Sequence, residues 1–374
     1  KRFVRSITLA SSIPRSSRSR YVSWNPLAAK GPVNVLQHCE VVGLVMTWLS
    51  QIPAWLLACA LVLGTGVQLV DGGDSPPQSA DGEWPQWRGP RGTGISAERG
   101  WLADFPETDP PISWESNVGI GYAAVSVSGG KLYTVGWNDG QDTLYCLDAV
   151  SGDQIWTFAY PAKVFDNMHS GGPAATPAVS DNRVYTLSRD GGLFSLDITD
   201  GELIWSHQLP DKFNLDVPDY GFAGSPIVDG ERLYVDVGRI IALDKSNGEV
   251  IWQTFSYIPA YSTPMPFTLD GEQLLAVFPA YGLVLLNAST GRELAKRRWT
   301  THYKVNAATP IVHGNHIFIS SGFSSGAALL QYSKRELRLV WDNEQMSTQT
   351  ATCVLIDGFL YGFDEARFKC LEFN

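Results

Sequence analysis

One phrase recurs along the chain and limits what it can fold into. Leu144-Tyr145-Cys146-Leu147-Asp148 runs on through Gly152 to Trp156. It returns as Leu193 to Trp205, with Asp197 and Gly201, and as Ile240 to Trp252, with Asp244 and Gly248. A fourth copy, Leu283 to Ala295, keeps Asn287 and Gly291 but ends on Ala295 in place of Trp, and a fifth, degraded copy covers Leu329 to Trp341. The glycines at 152, 201, 248 and 291 set a period of 43–49 residues. Between the copies lies a second phrase: a small residue, often before Pro, then an apolar pair, a turn and an apolar-aromatic run. Thr176-Pro177, Ser225-Pro226 and Thr309-Pro310 open three of these, and Ala351-Thr352 the last. Each unit therefore holds two hairpins, or four short strands, marked by Asp-Gly turns and β-branched or aromatic runs. Four strands at this period predict an all-β fold, a β-propeller of four-stranded blades.

Within the phrase, the Asp side chain is placed to accept turn N–H groups, and the Gly supplies a positive φ. The Trp offers a broad flat surface for packing between neighbouring blades. Asp148, Gly152, Trp156, Asp197, Gly201, Trp205, Asp244, Gly248 and Trp252 are accordingly read as structural.

The repeat resembles the PQQ-like β-propeller family, which includes the quinoprotein alcohol dehydrogenases and the propeller lipoprotein of the outer-membrane β-barrel assembly machinery. The resemblance covers Trp84 to Asn374. WD40 repeats fit less well, because Trp341-Asp342 alone supplies their dipeptide. Trp84-Pro85-Gln86-Trp87-Arg88-Gly89-Pro90 looks like the opening segment of a planctomycete-like branch of the family. It is expected to be pinned across the propeller rim, with Arg88 in an ion pair or contributing to a ligand site. Propellers of this family usually have eight blades. About six are visible here, so truncation at the C-terminus is expected.

The first 83 residues read differently. Residues 1–40 carry seven Lys and Arg against Glu40 alone, whereas the rest of the chain is strongly acidic within a net charge of −10. Residues 41–70 contain no charged residue, and the apolar run 41–63 is long enough for a transmembrane helix. Cations before it and Asp71 and Asp74 after it predict export of the body. A cleaved signal peptide followed by secretion is the alternative, and Leu56-Leu57-Ala58-Cys59 is only loosely like a lipoprotein cleavage site. Residues 71–83 read as a flexible Gly/Pro/Ser/Asp linker. The organisation is thus 1–40 basic segment, 41–70 transmembrane or signal anchor, 71–83 linker and 84–374 propeller, in the periplasm or outside the cell.

An acidic body offers no footprint for nucleic acid. The enzymes of the resembling family are implied to hold pyrroloquinoline quinone and calcium in a central funnel beside a vicinal Cys pair, an Asp base and Glu or Asn calcium ligands. No Cys-Cys pair exists in this sequence, and no metal-ligand cluster or phosphate loop is evident. No cofactor, metal or catalytic residue is therefore expected. The reading is a non-catalytic, membrane-tethered module that binds a protein or small ligand on its loop face. The alternative is a quinone- and calcium-dependent dehydrogenase of alcohols or sugars. His169, Tyr220, Tyr261, His302 and Asn306, on the connectors into successive blades, are the candidate ligand contacts together with Arg88, because loops on a rigid scaffold carry function.

Overall fold

The computed structural model describes residues 6–10, 82–99, 112–166 and 169–374, all within one compact unit of the chain. The basic segment, the apolar run and most of the linker lie outside the described residues. Among the described residues no helix is long and apolar enough to cross a membrane.

The body is a succession of antiparallel sheets, each strand paired with its sequence neighbour. Blade one comprises Ser126–Ser128, Lys131–Asn138, Gln141–Asp148 and Gln154–Pro161. Blade two comprises Ala178–Ser180, Arg183–Leu187, Gly192–Asp197 and Leu203–Gln208. Blade three runs Ile227–Asp229, Arg232–Asp236, Ile240–Asp244 and Val250–Gln253. Blade four runs Met265–Leu269, Glu272–Val277, Gly282–Asn287 and Glu293–Arg298. Blade five runs Ile311–His313, His316–Ser321, Gly326–Ser333 and Glu336–Asn343. Blade six has three strands, Val354–Ile356, Phe359–Asp364 and Arg367–Glu372. A separate strand, Ile112–Asn117, pairs in parallel with Ser6–Ala10. The helix content described is one five-residue turn, Leu209–Phe213.

The core is distributed between blades, because each sheet is apolar on both faces. Tyr133, Leu144, Cys146 and Trp156 of blade one meet Val184, Phe194 and Leu196 of blade two. Equivalent layers join blades two to three, three to four, four to five and five to six. Cys146 and Cys370 hold matching registers, opposite Tyr133 and Tyr361. Of the two, Cys146 is buried and Cys370 is exposed.

The recurring phrase works as a knob and a socket. Asp148 Oδ1 accepts from the N–H groups of Val150 and Ser151 at 2.8 Å, and Asp197, Asp244 and Asn287 hold their turns in the same way. The turn brings the backbone of its glycine against the Trp of the preceding blade. A Cβ on Gly201, at φ +76°, would fall 2.6 Å from the Trp156 ring, and Gly248 and Gly291 stand likewise against Trp205 and Trp252. The indole N–H then donates across the seam, Trp156 to Ile198 O, Trp205 to Lys245 O and Trp252 to Ala288 O, at 3.0–3.3 Å. Trp114 on Ile112–Asn117 seats against Gly152 in the same manner, so it too belongs to the repeat.

The opening segment runs along the hub rather than the rim. Trp84 exchanges two backbone bonds of 2.8 Å with Val127 of blade one, and Pro85 O accepts from Val179 N of blade two. Gln86 Oε1 accepts from Val228 N of blade three, and Trp87 Nε1 donates to Thr309 Oγ1 at the start of blade five. Gly92 lies against Met265 of blade four. Arg88 is buried and donates to the carbonyls of Gly92, Thr93 and Cys353, the last at the start of blade six. These carbonyls hold it in place of the ion pair expected from the sequence. Trp84–Gly94 thus touches the inner edge of all six blades. Around it, Thr176, Ser225 and Thr263 accept from the backbone N–H of the blade before, as Thr352 does from Thr309. The small residues of the second phrase therefore form hydroxyl links between adjacent inner strands.

Candidate functional site

The connectors that lead into blades one to four carry an unbroken run of aromatic contacts. Tyr122, just before blade one, meets His169 edge-on at 5.3 Å between ring centroids. His169 stacks on Tyr220 at 5.8 Å, and Tyr220 meets Tyr261 edge-on at 5.7 Å. Tyr122 is half exposed, and the other three are partly so.

Local bonds fix each ring. The Tyr122 hydroxyl lies 2.9 Å from Ser170 Oγ, and its backbone N–H donates to Pro173 O. His169 Nδ1 accepts from Gly171 N at 2.9 Å, which assigns the remaining proton to Nε2 in the neutral ring. Burial, followed by the Arg189 charge, holds its pKa below the ordinary value, so the imidazole is neutral at pH 7. Tyr220 offers its carbonyl to Arg189 Nη1 at 2.6 Å. Gly221 permits this approach: at φ +68° it lies where a Cβ would be 2.6 Å from Arg189 Cβ. Tyr261 is anchored through its N–H to Asn306 O, and burial pushes its hydroxyl up to about 12.

Beneath the aromatic run lies a buried charged group that the sequence did not single out. Arg189 sits in the turn between Leu187 and Gly192, 5% exposed, and its Nε has no hydrogen-bond partner. Asp142, opposite Tyr160 in blade one, is 1% exposed, and its Oδ1 is likewise unpartnered. Burial pushes the Asp142 carboxyl up to about 7, with repulsion from Asp190 adding and Arg189 opposing. Asp190 is itself held by Ser188 Oγ, which also accepts from Gly192 N. Burial lowers the Arg189 pKa. The set offers flat aromatic surface, a cation and an acid that titrates near neutrality. Among the described residues no cluster of three His, Cys, Asp or Glu could hold a metal ion.

The structure therefore gathers His169, Tyr220 and Tyr261 and adds Tyr122, Arg189, Asp142 and Asp190. His302 stands apart from them, edge-on to Tyr303, which meets Phe323. Asn306 is fully buried; its amide donates to Pro279 O and its Oδ1 accepts from Ser321. It is a bracket inside the fold, not a surface group. Arg88 is spent on the hub. The signal for Arg189 and Asp142 was weak: charged residues at a strand start or a Ser-Arg-Asp-Gly turn look like ordinary solvated positions.

Sheets of this kind, joined by Trp knobs and Gly sockets, define a β-propeller of PQQ-like repeats. A family model described as outer membrane protein assembly factor BamB matches residues 98–265 and 169–372. The chain belongs to that family. Solved structures to which the chain is similar include BamB from Moraxella catarrhalis, at 18% identity and TM-score 0.36, covering 62% of this chain and 76% of that one. A europium-containing methanol dehydrogenase matches at 13% identity and TM-score 0.49, covering 67% and 66%. A quinohemoprotein alcohol dehydrogenase from Comamonas testosteroni matches at 16% and 0.39, covering 67% of this chain and 42% of its own. Comparison with curated proteins gives no match.

Proposed function

We propose that the chain is a non-catalytic binding propeller whose loop face, built on Tyr122, His169, Tyr220 and Tyr261, receives a protein or small ligand. The apolar segment 41–63 tethers it, with the propeller outside the cytoplasm. The observation that carries this reading is the aromatic run itself. Four blades each contribute one ring to a continuous, partly exposed surface, and Arg189 and Gly221 brace it from below. Tyrosines and an arginine held rigid at low entropy cost are favoured contacts in binding surfaces.

The hub supports the same reading against the dehydrogenase. Trp84–Gly94 occupies the inner edge of the blades, and its contacts leave a cavity of about 130 Å³ beside blades three and four. That is below the roughly 300 Å³ of ordinary cofactor pockets. The vicinal Cys pair of the quinone enzymes is absent from the sequence. Both observations argue against pyrroloquinoline quinone with calcium at this hub.

The test is reconstitution of the full chain with both, followed by dye reduction with primary alcohols and sugars. Neither stoichiometric quinone binding nor turnover is expected. Both together would replace the binding module by a dehydrogenase.

A further inference from the structure

One seam lacks the device that closes the others. Between blades four and five the knob is missing, because Ala295 stands where Trp156, Trp205, Trp252 and Trp341 stand elsewhere. The socket is missing as well. Blade five turns from its third strand to its fourth through Lys334 and Arg335, at φ 51° and 66°, with no Gly in the turn. A Trp four residues further on crosses instead: Trp299 Nε1 donates to Ser321 Oγ at 3.1 Å. On the outer strand Glu293–Arg298 the side chains of Lys296, Arg297 and Arg298 are exposed. With Trp299, Thr300 and Ser325 they line an open cleft of about 640 Å³.

Charge identifies what the cleft can hold. Lys296 is paired with Glu293 at 2.9 Å and lies over the Tyr281 ring. Arg297 and Arg298 have no ion pair among the described residues. Charged residues on an outer strand can serve only to block edge-to-edge aggregation. That does not explain their placement here, since the outer strands of blades one, two and three carry no Lys or Arg. Cations concentrate at the seam that lost its Trp, on a body that is otherwise strongly acidic.

The strand pairs with Gly282–Asn287 on one side only, so its outer edge offers backbone groups for a further strand. Exposed Tyr303 and Phe323, 4.8 Å apart, stand on the two loops that supply Thr300 and Ser325. Guanidinium forks match carboxylates in pairs, and added strands bind through main-chain bonds with side chains setting specificity.

We infer that this cleft docks an acidic segment of another protein, laid in extended form along Glu293–Arg298. The site is separate from the aromatic loop face, and neither reading depends on the other. The probe is a fluorescein-labelled Glu-rich decapeptide, titrated with the full chain by anisotropy at low and moderate salt. The expected result is salt-sensitive binding that weakens about ten-fold or more in R297E/R298E, as for opposite charges removed from an interface. It should be unchanged in K163E/K212E, which alters net charge equally, and in Y220A, which touches only the loop face. A D-residue peptide of the same composition should bind more weakly, because it cannot pair as a regular strand. Equal loss in both double variants, or no binding of the peptide, would overturn the proposal. Equal binding of the D-peptide would overturn the extended mode, and binding of phosphatidylglycerol vesicles in its place would assign the cleft to a lipid surface.

Discussion

Replacing Asp142 by Asn tests the buried charge under the aromatic face, and its effect can be worked from the structure. Burial pushes the carboxyl from 3.8 up to about 7, Asp190 adds repulsion and Arg189 opposes it. A shift of about three pKa units at about 1.4 kcal/mol each is worth about 4 kcal/mol. The sign follows from proton counting. Between about pH 4 and 7 the folded protein binds more protons at this site than the unfolded chain, so stability falls as pH rises through that window. Above pH 7 the cost is fully present and the curve flattens. Asn is the same shape and cannot ionise. D142N should therefore be more stable than the native chain at pH 7.5 by about 2–4 kcal/mol, the lower figure allowing for Arg189 losing a carboxylate. At pH 4.5 the gap should shrink to about 1 kcal/mol. Asp236, also raised to about 7 by burial and opposed only by the Gly238 N–H, supplies a second, parallel slope that D142N leaves in place. Urea unfolding followed by Trp fluorescence at pH 4.5, 6 and 7.5 measures the difference. A variant that loses stability with pH as steeply as the native chain would refute a buried, neutral Asp142.

Two further outcomes test the architecture. R88A should cost about 3–5 kcal/mol by leaving buried carbonyls unpaired, and R88K should not restore it, because one ammonium cannot reach Gly92, Thr93 and Cys353 together. Limited proteolysis should then cut readily before Gly94; unchanged resistance in both variants would refute the hub's role. W205A should cost about 3–5 kcal/mol, whereas A295W should destabilise by about 1–3 kcal/mol, since the blade-five turn at Lys334–Arg335 has no socket for it. Thermal unfolding compares the pair, and a stabilising A295W would sink the argument from the missing socket.

The blades were legible because their chemistry is local. An Asp that caps its own turn and a Gly at φ near +75° are readable from five consecutive residues, and the period then supplies the rest. Trp114 escaped notice because its strand lacks the Asp-Gly turn that marks the other copies. The hub escaped because its partners lie far off in sequence: Trp87 reaches Thr309 and Arg88 reaches Cys353. Nothing in Trp-Pro-Gln-Trp-Arg-Gly distinguishes a segment lying across inner strands from one lying on a rim. At the candidate site, loop position alone selected His169, Tyr220 and Tyr261. It selected Asn306 equally, and only the geometry shows that amide turned inward to Pro279 and Ser321. Asp142 alternates with Leu144 and Cys146 along its strand, so its burial follows from the neighbouring blade and not from its own neighbours in sequence.

A row of blades that each touch only the next would be expected to form and fray piecemeal, like other repeat arrays. The segment Trp84–Gly94 changes that expectation. Its side-chain partners lie 142, 222 and 265 residues further along the chain, and closing loops of that length comes late and slowly. During synthesis or export it emerges before any blade and finds its last partner only when blade six exists. Until then Trp87 and Arg88 lack Thr309 and Cys353, and the early blades stand without the strap that ties them to the late ones. Once Arg88 reaches Cys353, opening any one blade disturbs bonds to the others. A set of neighbour-to-neighbour contacts then unfolds as one unit, with a segment made before every blade serving as its final latch.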